Sequence, residues 1–208
     1  LDHTDGEIRY IGRIGVRDDD FEPLVIDWRA RAAEPFYRAT ASDPMEVVRR
    51  RVLRCRNDIV VGIEDDLLDS SAARDDLPVI GEGALMAALK RARGPRMRDI
   101  VATIQAEQDE AIRADYRGVT VIAGGPGTGK TVVALHRAAY LLYSNRRRFE
   151  RGGILVVGPS GLFMNYIDRV LPSLGEDSVV LRAIGGVAVD SLGLTASRID
   201  SAPAAAIK

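Results

Sequence analysis

Residues 119–142, VTVIAGGPGTGKTVVALHRAAYLL, decide how the rest of the chain is read. Four apolar residues, Val119, Val121, Ile122 and Ala123, run into the loop Gly124-Gly125-Pro126-Gly127-Thr128-Gly129-Lys130-Thr131, and an apolar, helix-compatible run follows. The pattern G-x-x-x-x-G-K-[ST] thus stands in the strand–loop–helix context it requires. Closely spaced glycines let the backbone curl and turn N–H groups inward as a nest for anionic oxygens. The helix that follows aims its positive end at the same place. Lys130 is expected to supply charge to the β- and γ-phosphates of a nucleotide, and the Thr131 hydroxyl to ligate Mg²⁺. A loop that binds nucleotide without hydrolysing it is the competing reading, because no Walker B carboxylate can be assigned.

Composition sets few limits. The 208 residues suffice for one good-sized domain, or one and a small module. With 46% hydrophobic and 28% charged residues the chain has ordinary globular composition. The net charge of −1 gives no global nucleic-acid signature, so any basic surface must be local. Only three of the 29 basic residues are lysines (Lys90, Lys130 and Lys208), which makes Lys130 conspicuous. The single Cys55 rules out an intrachain disulfide and reads as a half-buried strand residue. No apolar run approaches the length of a membrane span. The chain begins at Leu1 with no leader-like segment, and the expectation is a piece of a longer cytoplasmic protein.

Upstream of the loop, residues 7–28 alternate, break at Asp18-Asp19-Asp20 and resume as Leu24-Val25-Ile26, which predicts a hairpin with a polar turn. Asp27-Trp28-Arg29 holds the only tryptophan, either as a recognition surface or, more simply, as the anchor of a small module. Residues 47–63 predict a second hairpin turning at Asn57-Asp58. Its arginines, Arg49, Arg50, Arg51, Arg54 and Arg56, could track a phosphate backbone. The acidic residues just downstream favour a self-paired or solvated face instead. Helices are expected over 82–93, ending at Gly94-Pro95, and from about 97 or 103 to 115 on the apolar positions Ile100, Ile104, Ala111 and Ile112.

After the loop's helix, a basic loop at 146–151 leads to GILVV (153–157), read as a continuous buried strand. A helix over 162–171 and a strand over 178–181 follow, while the tail from 183 suggests little. The fold class expected is α/β, a RecA-like P-loop NTPase with a parallel sheet and flanking helices, incomplete, and preceded by a small β-hairpin module. The expected organisation is a junction module over 1–66, a linker over 67–80, and the first part of a motor domain over 81–208.

Three stretches together, TIQAEQDEAIR (103–113), GGPGTGKTVVALHRAAYLL (124–142) and GILVVGPSGLFMNYIDRVLPSLGE (153–176), resemble the UvrD/Rep-type superfamily 1 helicases. YIGRIGVRDDDFEPLVIDWRARAAEPFYRAT (10–40) resembles the HelD branch in particular. The resemblance implies an ATPase of helicase type using ATP, with GTP as the alternative, and Mg²⁺. It makes Gln108 the glutamine that reads the adenine edge, with Gln105 as the weaker candidate, and Lys130 and Thr131 the phosphate and magnesium residues. His136 and Arg137 are expected to pack and cap.

Two departures from the family pattern bear on output. Val132 stands where such motors carry a base-stacking arginine, and GPSGLFM (158–164) replaces the segment that holds single-stranded DNA, leaving Phe163 to be buried or to stack a base. The resemblance therefore implies a factor that binds the core of bacterial RNA polymerase and uses nucleotide turnover to release it from DNA or RNA. A 3′–5′ DNA helicase and a structural polymerase-binding protein with a relic loop are the alternatives. A Walker B carboxylate, arginine fingers, a second motor half and an N-terminal coiled coil are expected from the rest of the chain, beyond the 208 residues.

Overall fold

A β-strand holds its shape only when its backbone groups find a neighbouring strand, and that requirement separates the two halves of this chain. The computed structural model describes residues 1–71, 101, 104–149, 152–176 and 178–193. The helix expected over 82–93 with its stop at Gly94-Pro95, most of the linker, the 97–100 start of the second helix and the tail past 193 lie outside the described residues.

The first half forms two small sheets. Strand β1 (Asp2–His3) flanks a long hairpin of β5 (Val47–Arg56) and β6 (Ile59–Leu67), in the order β1-β5-β6. Its turn falls at Asn57-Asp58 as expected, with Asn57 in the left-handed region at φ 56°. The second sheet places β4 (Pro23–Asp27) between β2 (Ile11–Gly12) and β3 (Val16–Arg17). The β3–β4 hairpin is the one the acidic run predicts: the Asp18 carboxylate accepts the Asp20 and Glu22 N–H groups at 3.0 and 2.8 Å and closes the turn. The parallel pairing of β2 with β4, Ile11 opposite Ile26, has no local signal. Gly12 is needed there because a Cβ would lie 2.7 Å from Val25 Cγ1.

Four of the five arginines on β5 are paired within the module, and Arg56 is exposed near the tip. Arg50 and Arg51 stand directly opposite Asp66 and Asp65 and bond them at 3.1 and 2.7 Å, while Arg54 reaches Glu64 and Arg49 reaches Asp2. Cys55 is exposed rather than half-buried, because it follows the Arg54/Cys55 register shift near the tip, where β5 runs beyond the core.

Helix α1 (Glu34–Arg38) follows β4 in the first half, at the junction, and the second half contains α2 (Ala106–Arg113), α3 (Lys130–Ser144) and the one-turn α4 (Arg146–Phe149), where a loop was expected. Strand β7 (Ile154–Gly158) is followed by α5 (Gly161–Ile167), α6 (Val170–Ser173), β8 (Val179–Ala183) and α7 (Ile184–Leu192). The single helix expected over 162–171 is broken at Asp168-Arg169, and α7 was not foreseen. Ser160 caps α5, its hydroxyl accepting the Phe163 N–H at 3.2 Å.

The parallel sheet needs correction. Strands β7 and β8 pair in parallel, in register from Ile154–Val179 to Gly158–Ala183, but they form a two-stranded sheet. Residues 119–123 form no strand, and Val119 and Val121 are 91% and 83% exposed. Their apolar composition suits a strand, yet none of the described strands pairs with them. Strand β7 is likewise not buried on both faces, since Leu155 and Val157 remain exposed. The observed class is thus mixed α/β with small sheets.

One core joins the halves. Trp28, Ala33 and Tyr37 from the first half lie in the same buried cluster as Ile112, Val133, Leu135, Met164, Ile167, Val170 and Leu174.

Candidate nucleotide site

The loop at 124–129 is shaped by its glycines at two points. Gly127 and Gly129 take φ +77° and +87°, which a side chain disfavours. Helix α3 begins immediately after Gly129, and its first intrahelical bond runs from Val133 N–H to Gly129 C=O at 2.9 Å. The N–H groups of Lys130, Thr131 and Val132 precede that bond, and no side chain caps this end. They point the positive end of a 15-residue helix at the loop.

Lys130 Nζ donates to the Gly124 and Gly125 carbonyls at 2.8 and 2.7 Å, so its ammonium lies over the loop that precedes it. Thr128 Oγ1 donates to the Gly125 carbonyl at 2.9 Å and stiffens the turn containing Pro126. Thr131 sits half-buried in the first helical turn. A cation, three uncapped N–H groups and two left-handed glycines fit the phosphates of a nucleotide, and a threonine hydroxyl beside them fits Mg²⁺.

Gln108 is brought to this loop. It is the third residue of α2, and its Oε1 accepts the Gln105 N–H at 3.1 Å while the Gln105 side chain accepts from the Gln108 backbone, a reciprocal cap. Gln108 Nε2 approaches the Thr128 carbonyl at 3.4 Å, and a Cβ on Gly129 would lie 3.1 Å from that nitrogen. Gln105 is therefore the capping partner. Val132 follows Thr131 in the first turn of α3, and its side chain is buried. Phe163 is half-buried against the core, where a Cβ on Gly158 would meet its ring at 2.8 Å.

His136 and Arg137 pack and cap, as expected. His136 is fully buried, its Nδ1–H donates to the Val132 carbonyl at 2.8 Å, and its ring meets Trp28 edge-on at 5.5 Å. Arg137 donates to the carbonyls of Ala111, Ala114 and Asp115 at 3.0, 2.6 and 2.7 Å, closing the C-terminal end of α2. Burial pulls the Arg137 guanidinium below its ordinary value, although Asp115 opposes this.

Trp28 is 0% exposed, so Asp27-Trp28-Arg29 is an internal anchor and not a recognition surface. Asp27 chelates Arg29 at 2.8 and 2.7 Å, Glu176 holds the other side of the guanidinium, and the Tyr143 ring lies 4.7 Å below it. Burial lowers the affinity of Arg29 for its proton, but the Asp27 bonds together with the charges of Asp27 and Glu176 outweigh it and the net shift is upward. Burial also pushes the Glu176 carboxyl up, against the pull of Arg29.

A second buried link was missed entirely from sequence. Asp109 is 0% exposed and accepts Arg38 Nε at 2.8 Å and Arg113 Nε at 2.7 Å. Arg113 also donates to the carbonyls of Trp28 and Arg29 at 2.7 and 3.1 Å. The signal available was an acidic residue inside the apolar stripe of α2, three positions before Ile112 and four before Arg113.

Known families match on both sides of this junction. Residues 1–77 match the family described as DNA helicase IV HelD, N-terminal domain, and residues 104–158 match the UvrD/REP helicase N-terminal domain. No curated protein matches the chain. The first match contains both small sheets, Trp28 and Arg38, while the second contains Gln108, the glycine loop and α3. The two matches, in this order along the chain, support a fragment of the HelD/UvrD-like helicase family.

Proposed function

We propose that this chain is the ATP-binding part of a HelD-like factor that binds bacterial RNA polymerase and uses ATP binding and hydrolysis to release it from nucleic acid. The observation that carries the reading is the junction itself: a HelD-type domain holds the helix of Gln108 beside a lysine-bearing glycine loop. Lys130 and the N–H groups of the loop and the first turn of α3 would hold the phosphates, and Thr131 the magnesium. The metal, when bound, would neutralise charge developing on the transferred phosphoryl group.

Gln108 supports adenine as the base. A glutamine amide has two donor hydrogens and two acceptor lone pairs. One donor is turned to Thr128 and one lone pair to the Gln105 N–H, which leaves one of each. The N6–H and N7 edge of adenine asks for one acceptor and one donor, whereas guanine offers two acceptors, O6 and N7, on that edge. ATP is therefore the expected nucleotide over GTP. The division into a junction module, a linker and a motor domain is part of this reading.

The test uses the full-length protein with core RNA polymerase stalled on nucleic acid. ATP-dependent release, lost in Lys130→Ala and unaccompanied by duplex unwinding, is the expected result. The UvrD/REP match favours a second reading, a 3′–5′ DNA helicase. Unwinding of a tailed duplex that requires Lys130, without capture of polymerase, would establish that one. Equal release by wild type and Lys130→Ala would leave the loop a relic.

A further inference from the structure

We propose that Arg38, a residue of the HelD-type domain, is a positioning residue for the nucleotide site: through Asp109 it holds Gln108 in place and so sets base selectivity without touching the nucleotide. The inference rests on the reading of Gln108 as the adenine-facing residue. It begins from the length of α2. Eight residues make about two turns, and helices this short are marginal by themselves in water. The place of α2 must therefore be fixed by what it is tied to.

Its ties run in two directions. Toward the motor side, Arg137 collects its C-terminal carbonyls and Ile112 is fully buried in the shared core. Toward the HelD-type side, Arg113 donates to the Trp28 and Arg29 carbonyls, and Asp109 receives Arg38. Asp109 follows Gln108 directly, in the first turn of the helix, so its anchor acts next to the amide that meets the loop. A carboxylate without exposure must keep its partners, which makes the Arg38–Asp109–Arg113 link a fixed point of the structure. Arg38 is half-buried, forms an i,i+4 pair with Glu34 and contacts no residue of the glycine loop by hydrogen bond or ion pair among the described residues.

Arg38→Met keeps most of the side-chain volume and leaves Asp109 with Arg113. The amide of Gln108 should then lose its fixed placement while the loop, Lys130 and the start of α3 stay as they are. Base selectivity and phosphate affinity should separate, which a general loss of structure would not produce.

The experiment measures affinities of the 208-residue chain for ATP, GTP and inorganic tripolyphosphate, each with Mg²⁺, by competition against a fluorescent ATP analogue. Wild type should prefer ATP over GTP by about tenfold, the scale of one bidentate base contact. Gln108→Ala and Arg38→Met should each bring that ratio to about twofold or less, with tripolyphosphate affinity unchanged and no further loss in the double variant. Arg38→Lys, which keeps a cation for Asp109, should retain the preference, as should Glu34→Gln. If Gln108→Ala abolishes the preference and Arg38→Met leaves it intact, the positioning role is wrong while the adenine reading stands. If wild type has no preference, or Gln108→Ala keeps it, both fall together. Equal loss of ATP and tripolyphosphate affinity in Arg38→Met would also overturn the proposal.

Discussion

Replacing Arg29 by methionine should cost far more than its single charge suggests. The side chains of Arg29, Asp27 and Glu176 are 5, 9 and 6% exposed, so the variant leaves two carboxylates in a site built around a cation. Removing one partner of a buried ion pair costs about 3–5 kcal/mol. That is a large part of the roughly 5–15 kcal/mol that holds a domain folded. For a chain of this size each kcal/mol shifts the melting temperature by about 2–4 °C, so a fall of about 6–20 °C is expected. The internal control is Arg117→Met, which removes the Arg117–Asp115 pair at 2.7 Å with side chains 79 and 50% exposed. An exposed pair of equal length contributes little, because water screens it. Urea unfolding followed by circular dichroism measures both variants, and a cycle with Glu176→Gln should recover part of the Arg29→Met loss. If Arg29→Met is no more destabilising than Arg117→Met, the two halves are not held together by this buried cluster.

Further expectations follow from single positions. Burial, and then Arg9, hold the His3 imidazole below its ordinary value of 6.5, while Glu7 and Asp5 pull it up less strongly. The folded form thus resists protonation, so stability present above that value is lost as pH falls through it toward the lowered pKa. Urea midpoints at pH 7.5 and 5 should show His3→Leu with a smaller acid loss than wild type; an unchanged loss would assign the acid sensitivity elsewhere. Gly129→Ala forces a Cβ into the left-handed region, 3.1 Å from Gln108 Nε2, and should cost roughly 1–2 kcal/mol and abolish any nucleotide-induced thermal shift. Gly125→Ala meets nothing within 4 Å and should be tolerated, so equal melting temperatures for the two would contradict the loop geometry.

What the sequence made legible was local. The Asn57-Asp58 turn, the Asp18 turn and the glycine loop with its helix are each specified within a few residues, and each appears where expected. Arg51 opposite Asp65 follows from the hairpin register once the turn is known. The misses that shape the junction and the sheet depend on distant partners. Residues 119–123 have a strand's composition but need a neighbouring edge, which composition cannot provide. Arg38 meets Asp109 across 71 positions, and Arg29 meets Glu176 across 147. For Gln108 the sequence indicated the role, but its closeness to the Thr128 carbonyl and its reciprocal cap with Gln105 depend on how α2 docks.

The most direct test of the nucleotide site is the melting temperature of the 208-residue chain titrated with ATP and Mg²⁺. A ligand at one hundred times its Kd stabilises the folded state by about 2.7 kcal/mol, equivalent to about 5–10 °C here. The account predicts a saturable rise of that order in the wild-type chain, its disappearance in Lys130→Ala, and a smaller rise with GTP. No rise at millimolar ATP, or an equal rise in Lys130→Ala, would contradict a nucleotide site at the head of α3.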